Sequence, residues 1–203
     1  SVYFPIGTYR ISHPILLQYV LNGRWKFFTI RLSGETPAKS APASYLSTIL
    51  CDFKEGFAMG IQLGRGIHIE NLNFLGRYTF PLTISNKNIG TTPYSAWNNG
   101  SVQDSRYAPY AGIVIDPFCD SNLLKAAEGY RFLRDQYLPN TGRGGTSDVE
   151  IRQCSVHQFA AGIVLTPNPL TANDEMINII DCNIDAVKIA IAIGQDQSKE
   201  IHI

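Results

Sequence analysis

The chain has no apolar run long enough to cross a membrane and no lipidation signal, so membrane insertion is not expected. Charge is sparse. Asp, Glu, Lys and Arg make up 17% of the residues, and seventeen basic side chains balance seventeen acidic ones. That balance provides no field to attract a polyanion, which excludes nucleic acid as an expected partner. There are only four cysteines and no close-spaced pair, which argues against a zinc site and against a disulfide framework. Free thiols favour assembly in a reducing compartment. No Gly-x-Ser-x-Gly elbow supports a serine triad, and no Lys-Ser/Thr follows the glycines of 142–145, so they do not read as a phosphate loop. The chain lacks an initiator Met, begins in one strand-like segment and ends in another, and is expected to be a piece of a longer polypeptide.

What the sequence does have is repetition. Asp148-Val149-Glu150-Ile151-Arg152-Gln153-Cys154-Ser155-Val156 is echoed by Met176-Ile177-Asn178-Ile179-Ile180-Asp181-Cys182-Asn183-Ile184. An earlier copy is Gly66–Phe74, and a further one opens at Glu200-Ile201-His202-Ile203. Each copy alternates apolar and polar residues as two short strands meeting at a polar corner. A second repeat lies between them: Gly60-Ile61-Gln62-Leu63, Gly112-Ile113-Val114-Ile115, Gly162-Ile163-Val164-Leu165 and Ala190-Ile191-Ala192-Ile193. Cys154 to Cys182 and Val164 to Ala192 are both 28 residues apart. One offset shared by three strands per turn predicts an all-β fold, a right-handed three-sheet parallel β-helix with rungs about 4.8 Å apart. A sandwich of hairpins does not account for a fixed offset.

The repeat also assigns faces. Alternate Ile, Val, Leu and Cys stack inward, Cys154 and Cys182 stack as buried free thiols, and Asn71, Gln153 and Asp181 share one corner as a structural ladder. His68, Glu150, Asn178 and His202 fall on one outward column, with the two histidines too far apart to share a metal. The outward column of the first strands reads Gln62, Val114, Val164, Ala192, which is nearly apolar and calls for a cover: the helix at 121–137 or another subunit.

Two insertions interrupt the expected single domain 1–203. Residues 75–112 carry Tyr78, Tyr94, Trp97, Tyr107 and Tyr110 among amides and charges. Rings beside polar groups suit sugar stacking, and Tyr94, Trp97, Asp104, Arg106, Tyr107 and Tyr110 are the candidate glycan-binding residues; burial of the rings against the solenoid wall is the competing explanation. Residues 116–147 hold the one short helix, capped at Asp120 or Ser121 and ended by Pro139 and Gly142.

Val2-Tyr3-Phe4-Pro5-Ile6-Gly7-Thr8-Tyr9, Thr29-Ile30-Arg31-Leu32-Ser33-Gly34-Glu35, Ser47-Thr48-Ile49-Leu50 and Gly66–Phe74 resemble the opening segments of pectate-lyase-like β-helices. That superfamily includes polysaccharide lyases, galacturonan hydrolases and bacteriophage tailspikes. Its motifs are scaffold, and one scaffold hosts many activities. The resemblance implies clustered carboxylates holding calcium in a lyase, or two carboxylates roughly 5–10 Å apart in a hydrolase. The family's Asn-Thr-Asp, Asp-Asp and Gly-His-Gly motifs are absent from the matching strands. Weak catalytic candidates are Asp116, Asp120, Arg131 and Arg134, with Asp135 beside them; a turn-forming Asp and ordinary helix-surface charges explain the same residues. Asp174 and Glu175 read as a solvated loop, and His157 has no partner identifiable in sequence.

The expected function is a virion-associated, tailspike-like β-helix in a phage tail or adhesion device, forming a homo-oligomer (a trimer) with other virion subunits and contacting a host surface glycan. The alternatives are a secreted or cell-surface polysaccharide lyase or glycoside hydrolase, and a purely structural solenoid. No metal or cofactor is expected, except Ca in the lyase case.

Overall fold

The computed structural model describes residues 1–22, 24–39, 41, 43–54, 56–78, 110–117, 145–165, 175–185, 187, 189–193 and 199–203. Its strands, in chain order, are β1 (Val2–Phe4), β2 (Gly7–Ile11), β3 (Ile15–Leu17), β4 (Tyr19–Leu21), β5 (Arg24–Lys26), β6 (Phe28–Gly34), β7 (Ser47–Cys51), β8 (Gly56–Ile61) and β9 (Gly64–Glu70). They continue with β10 (Leu72–Leu75), β11 (Tyr110–Ile115), β12 (Ser147–Arg152), β13 (Ser155–His157), β14 (Ala161–Leu165), β15 (Glu175–Ile180), β16 (Asn183–Asp185), β17 (Ile189–Ile193) and β18 (Lys199–His202). Three parallel sheets stack them: β3-β8-β11-β14-β17 (the first sheet), β1-β6-β9-β12-β15-β18 (the second) and β2-β7-β10-β13-β16 (the third). This is the right-handed, three-sheet parallel β-helix that the repeat predicts. β4 and β5 stand apart as an antiparallel hairpin.

Period-2 alternation builds the core. Ile30, Ile67, Val149, Ile177 and Ile201 form one inward column of the second sheet, and Leu32, Ile69, Ile151 and Ile179 form another. From the third sheet come Tyr9, Ile49, Phe74, Val156 and Ile184, and from the first Ile15, Met59, Ile113, Ile163 and Ile191. Apolar side chains stacked at rung spacing pack against one another along the interior, most of them fully buried among the described residues. Cys154 is buried there and Cys182 half-buried, as free thiols. Burial raises the Cys154 thiol well above its ordinary range, with hydrogen bonding and charge from Cys182 adding to the effect.

The corner of Asn71, Gln153 and Asp181 is a ladder, but its rails are backbone. The three residues have φ of 57°, 51° and 53°. Asn71 N–H donates to Arg152 O at 3.2 Å and Gln153 N–H to Ile180 O at 2.9 Å. The corner demands tolerance of left-handed backbone and shows no side-chain ladder: Oδ1 of Asn71 is buried with no partner, while Asp181 takes Lys39 at 2.8 Å. In the rung above, a Cβ on Gly34 would lie 1.9 Å from Asn71 O, so only glycine fits that corner. A second left-handed column lies inside the second sheet at Gly66, Asp148, Met176 and Glu200, with φ of 68°, 55°, 56° and 57°.

The three outward faces differ. On the first sheet, Leu16, Gly60, Val114, Val164 and Ala192 share one column. Gly60, not Gln62, is the neighbour of Val114. A slip of two residues keeps side-chain parity, which is why the Gly-Ile pattern at 60–61 mimics the true register. Phe57, Ala111, Val114, Ala161, Val164 and Ala192 are all buried as an apolar cluster separate from the interior. On the third sheet Thr48, Asn73 and Ser155 are buried as well. The second sheet is open: Arg31, His68 and His202 are exposed, in register with Glu150 and Asn178 as the sequence predicts.

Candidate functional site

Both insertions are rooted on one strand. The chain leaves the solenoid after β10 and re-enters at Tyr110, the first residue of β11; it leaves again after Ile115 and returns at Ser147, the first residue of β12. Strand pairing therefore reaches Leu75 and 110–112, inside the expected bounds of the first insertion, and Ser147, inside the second. The two excursions flank β11 at its two ends.

Asp116 secures the second excursion at both roots. Its Oδ1 accepts from Leu63 N–H at 2.9 Å and from Thr146 Oγ1 at 2.5 Å. Its Oδ2 accepts from Gly145 N–H at 2.6 Å and Thr146 N–H at 3.0 Å. Thr146 Oγ1 in turn accepts from Gly64 N–H at 3.2 Å. The carboxylate is fully buried at φ 51° and spends its lone pairs on the chain. It ties the outgoing strand end to the incoming one, which is a structural role; no oxygen is left for substrate.

Tyr110 is corrected. It is 1% exposed, with its ring 4.8 Å from Phe159 and 6.2 Å, edge-on, from Phe53, and its hydroxyl accepts from Arg77 N–H at 3.0 Å. A ring with no open face cannot stack on a sugar. It sits inward because it opens β11, where alternation with Ala111 turns it into the core. Burial, with the nearby Cys51, raises its hydroxyl above the ordinary range against the opposing effect of Arg77. Burial and the Asp52 charge push the neighbouring Cys51 thiol up to about 12, so it is held neutral. Tyr94, Trp97, Asp104, Arg106, Tyr107, Asp120, Arg131, Arg134, Asp135 and Asp174, and the helix at 121–137, lie outside the described residues. Glu175 belongs to β15, in register with Ser147 and Lys199, and not to a loop.

Sequence reasoning missed the partner of His157. It meets Asp185 through Nδ1 across one rung, at paired positions of β13 and β16. The two are 28 residues apart, the repeat length itself, and that offset was the available signal. A related cluster sits at the same end of the third sheet, where Asp52 takes Arg10 on one side at 2.7 Å and Arg77 on the other. Among the described residues no group of three His, Cys, Asp or Glu side chains stands together as a metal site. The chain matches no family model, no curated protein and no solved structure.

Proposed function

We propose that the chain is a tailspike-like β-helix of the pectate-lyase-like kind, a virion component that holds a glycan-contacting excursion on a rigid solenoid. The observation that supports it is the rooting of both excursions on β11. Ordered backbone on either side fixes where the excursions start and end, and Asp116 locks one of them at both roots. Binding surfaces are commonly built from loops positioned by such a scaffold. Trp97, with Tyr94, Tyr107, Asp104 and Arg106, supplies rings and hydrogen-bonding groups of the type that sugars need.

The first sheet's outward face is not the cleft in this reading. Its column is apolar and buried among the described residues, so it presents no exposed polar group to a ligand. For the same reason the column no longer argues for a subunit interface. Oligomeric state is a separate matter, settled by mass photometry of the full-length protein with a depolymerisation assay on the same preparation. A stable oligomer that binds a surface glycan fits the virion reading, and depolymerisation then decides whether the spike is also an enzyme. A monomer that cleaves acidic polysaccharide replaces it with a lyase or hydrolase. Trp97→Ala is expected to weaken glycan binding about fivefold or more with the melting temperature unchanged; an earlier melt with intact binding would make the excursion a plug.

A further inference from the structure

The corner between the second and third sheets stacks two cysteines. Arg152 is in register with Ile180 in the second sheet and Ser155 with Asn183 in the third, so the corner residues between them lie one rung apart. Gln153 and Asp181 share left-handed backbone, Gln153 N–H donates to Ile180 O at 2.9 Å, and Asn183 N–H donates to Cys154 O at 2.9 Å. Cys154 is thereby held against Cys182, and the two thiols are in hydrogen-bond contact. A rung spacing of about 4.8 Å puts their Cα atoms inside the range of about 4.4–6.8 Å that a disulfide spans. One further segment clamps both corners from outside: Ala38 N–H donates to Gln153 O at 3.1 Å, and Lys39 pairs with Asp181 at 2.8 Å.

The pair is asymmetric. Cys154 is fully buried, whereas Cys182 is half-buried and precedes β16, an edge strand of the third sheet among the described residues. Hydrogen bonding from Cys154 holds the Cys182 thiol below its ordinary range against the opposing effect of burial, and burial holds Cys154 well above. The thiolate is the nucleophile, so Cys182 is the member that reacts and Cys154 the one that keeps its proton. Cys51, the third described cysteine, closes β7 and lies outside this corner.

We propose that Cys154 and Cys182 are a reversible dithiol site, which a small disulfide such as oxidised glutathione converts into a bridge between two rungs. The Cys182 thiolate attacks one sulfur of the glutathione disulfide, releasing a glutathione thiolate and leaving Cys182 in a mixed disulfide. Cys154 gives its proton to the released thiolate and attacks the Cys182 sulfur, expelling the second glutathione. Two protein thiols are oxidised to one disulfide, and one glutathione disulfide is reduced to two thiols. Stacked Cβ atoms start about a rung apart, whereas a bridge holds them about 3.5–4.5 Å apart, so one corner has to lean towards the other. A bridge closed under that demand is readily reopened, which makes it a switch and not a permanent tie. Thiols made in a reducing compartment stay open there and close where the chain meets an oxidising one.

The test incubates the full chain in graded mixtures of reduced and oxidised glutathione, quenches with an alkylating reagent and maps the cysteine peptides by mass spectrometry. Mapping separates this pair from Cys51 and from Cys119, which lies outside the described residues. Expected are a linked Cys154–Cys182 peptide in the oxidised mixtures, its loss in dithiothreitol, and alkylation of Cys182 at least about tenfold faster than of Cys154 in the reduced native chain. The melting midpoint of the bridged form is expected about 5 °C higher. Cys154→Ser should stop at one glutathione on Cys182, and Cys182→Ser should leave Cys154 unmodified in the folded chain. If either serine variant melts early, the linked peptide and the alkylation rates of the unaltered chain carry the test. A mixed disulfide at Cys182 that never closes overturns the proposal, as does a bridge that forms only in urea, or a Cys154 that reacts as fast as Cys182. A midpoint that does not rise on bridging overturns it too, since a tie between two rungs has to constrain the unfolded chain.

Discussion

The outward faces of the first and second sheets are built on the same rungs in the same register, yet one is sealed and the other is wet. In the first, Val114 and Val164 are fully buried and Ala192 nearly so. In the second, the equivalent positions hold Arg31, His68, Glu150, Asn178 and His202, tied rung to rung by pairs such as Arg31–Glu70 at 2.5 Å. A solenoid has to bury only its interior; what its outer faces carry is free to vary. The apolar face is therefore a commitment to a cover within the chain, and the polar face is a commitment to solvent.

The comparison breaks most sharply if a charge is placed on each face. Val164→Asp puts a carboxylate where no solvent reaches, and is expected to cost about 4 kcal/mol or more, enough to unfold a marginal domain. Asn178→Asp on the open face is expected to change stability by about 0.5 kcal/mol or less. Urea melts of both variants test this. Equal effects would mean that the first-sheet face is solvated, and would restore it as a possible ligand cleft.

Next in size is the anchor at the edge of the sealed face. Asp116→Asn replaces an acceptor oxygen by a donor NH₂ facing backbone N–H groups of Leu63 or of Gly145 and Thr146. At least one buried donor is left unpaired, with an expected cost of about 2–3 kcal/mol. Hydrogen exchange at Leu63 and Thr146 should quicken while that of Val149 and Ile151 stays slow. Uniform quickening would instead make Asp116 part of the global fold and not a local clasp.

Much of this contrast was legible in the sequence, and the failures have physical causes. Alternation read over a fixed offset placed His68, Glu150, Asn178 and His202 on one column because side-chain parity in a strand admits only two faces. The same parity hid the two-residue slip at Gly60, since both registers put apolar residues inward. Tyr110 misled because a tyrosine near charged residues reads as surface; only the pairing of β11 with β8 shows it to be a core residue. The left-handed column at 66, 148, 176 and 200 was invisible because only its first member is glycine. His157 and Asp185 were one repeat apart and were overlooked because partners were sought nearby in the chain.

On the open face the ion pairs are expected to contribute little. Glu70 is pulled two ways: burial raises its carboxyl, but hydrogen bonds from Arg31 and Ser33 and the charges of Arg31 and His68 prevail and hold it below the ordinary range. A depressed carboxylate stabilises the fold above its unfolded pKa, and that contribution is lost as pH falls through the folded pKa. Arg31→Gln should therefore narrow the difference in stability between neutral and strongly acidic solution. A double-mutant cycle with Glu70→Gln should give about 0.5–1 kcal/mol at neutral pH and nearly nothing once Glu70 is protonated. A coupling that persists in acid would assign it to packing.

The smallest effect is a gain. Met176 sits on the open sheet at φ 56° with 48% of its surface exposed, so it bears the cost of left-handed backbone and returns little packing. Met176→Gly removes that cost, and although glycine loses more entropy on folding, a net gain of about 0.5 kcal/mol is expected. Asp148→Gly, at φ 55° in the neighbouring rung, should gain less, because aspartate tolerates this conformation better than methionine. The order Met176 before Asp148 is the sharper check. If backbone strain sets the difference, the two glycine variants rank that way in thermal melts; if they rank in reverse, side-chain contacts of Met176 on the open face outweigh its strain, and that face is more closely packed than its charges suggest.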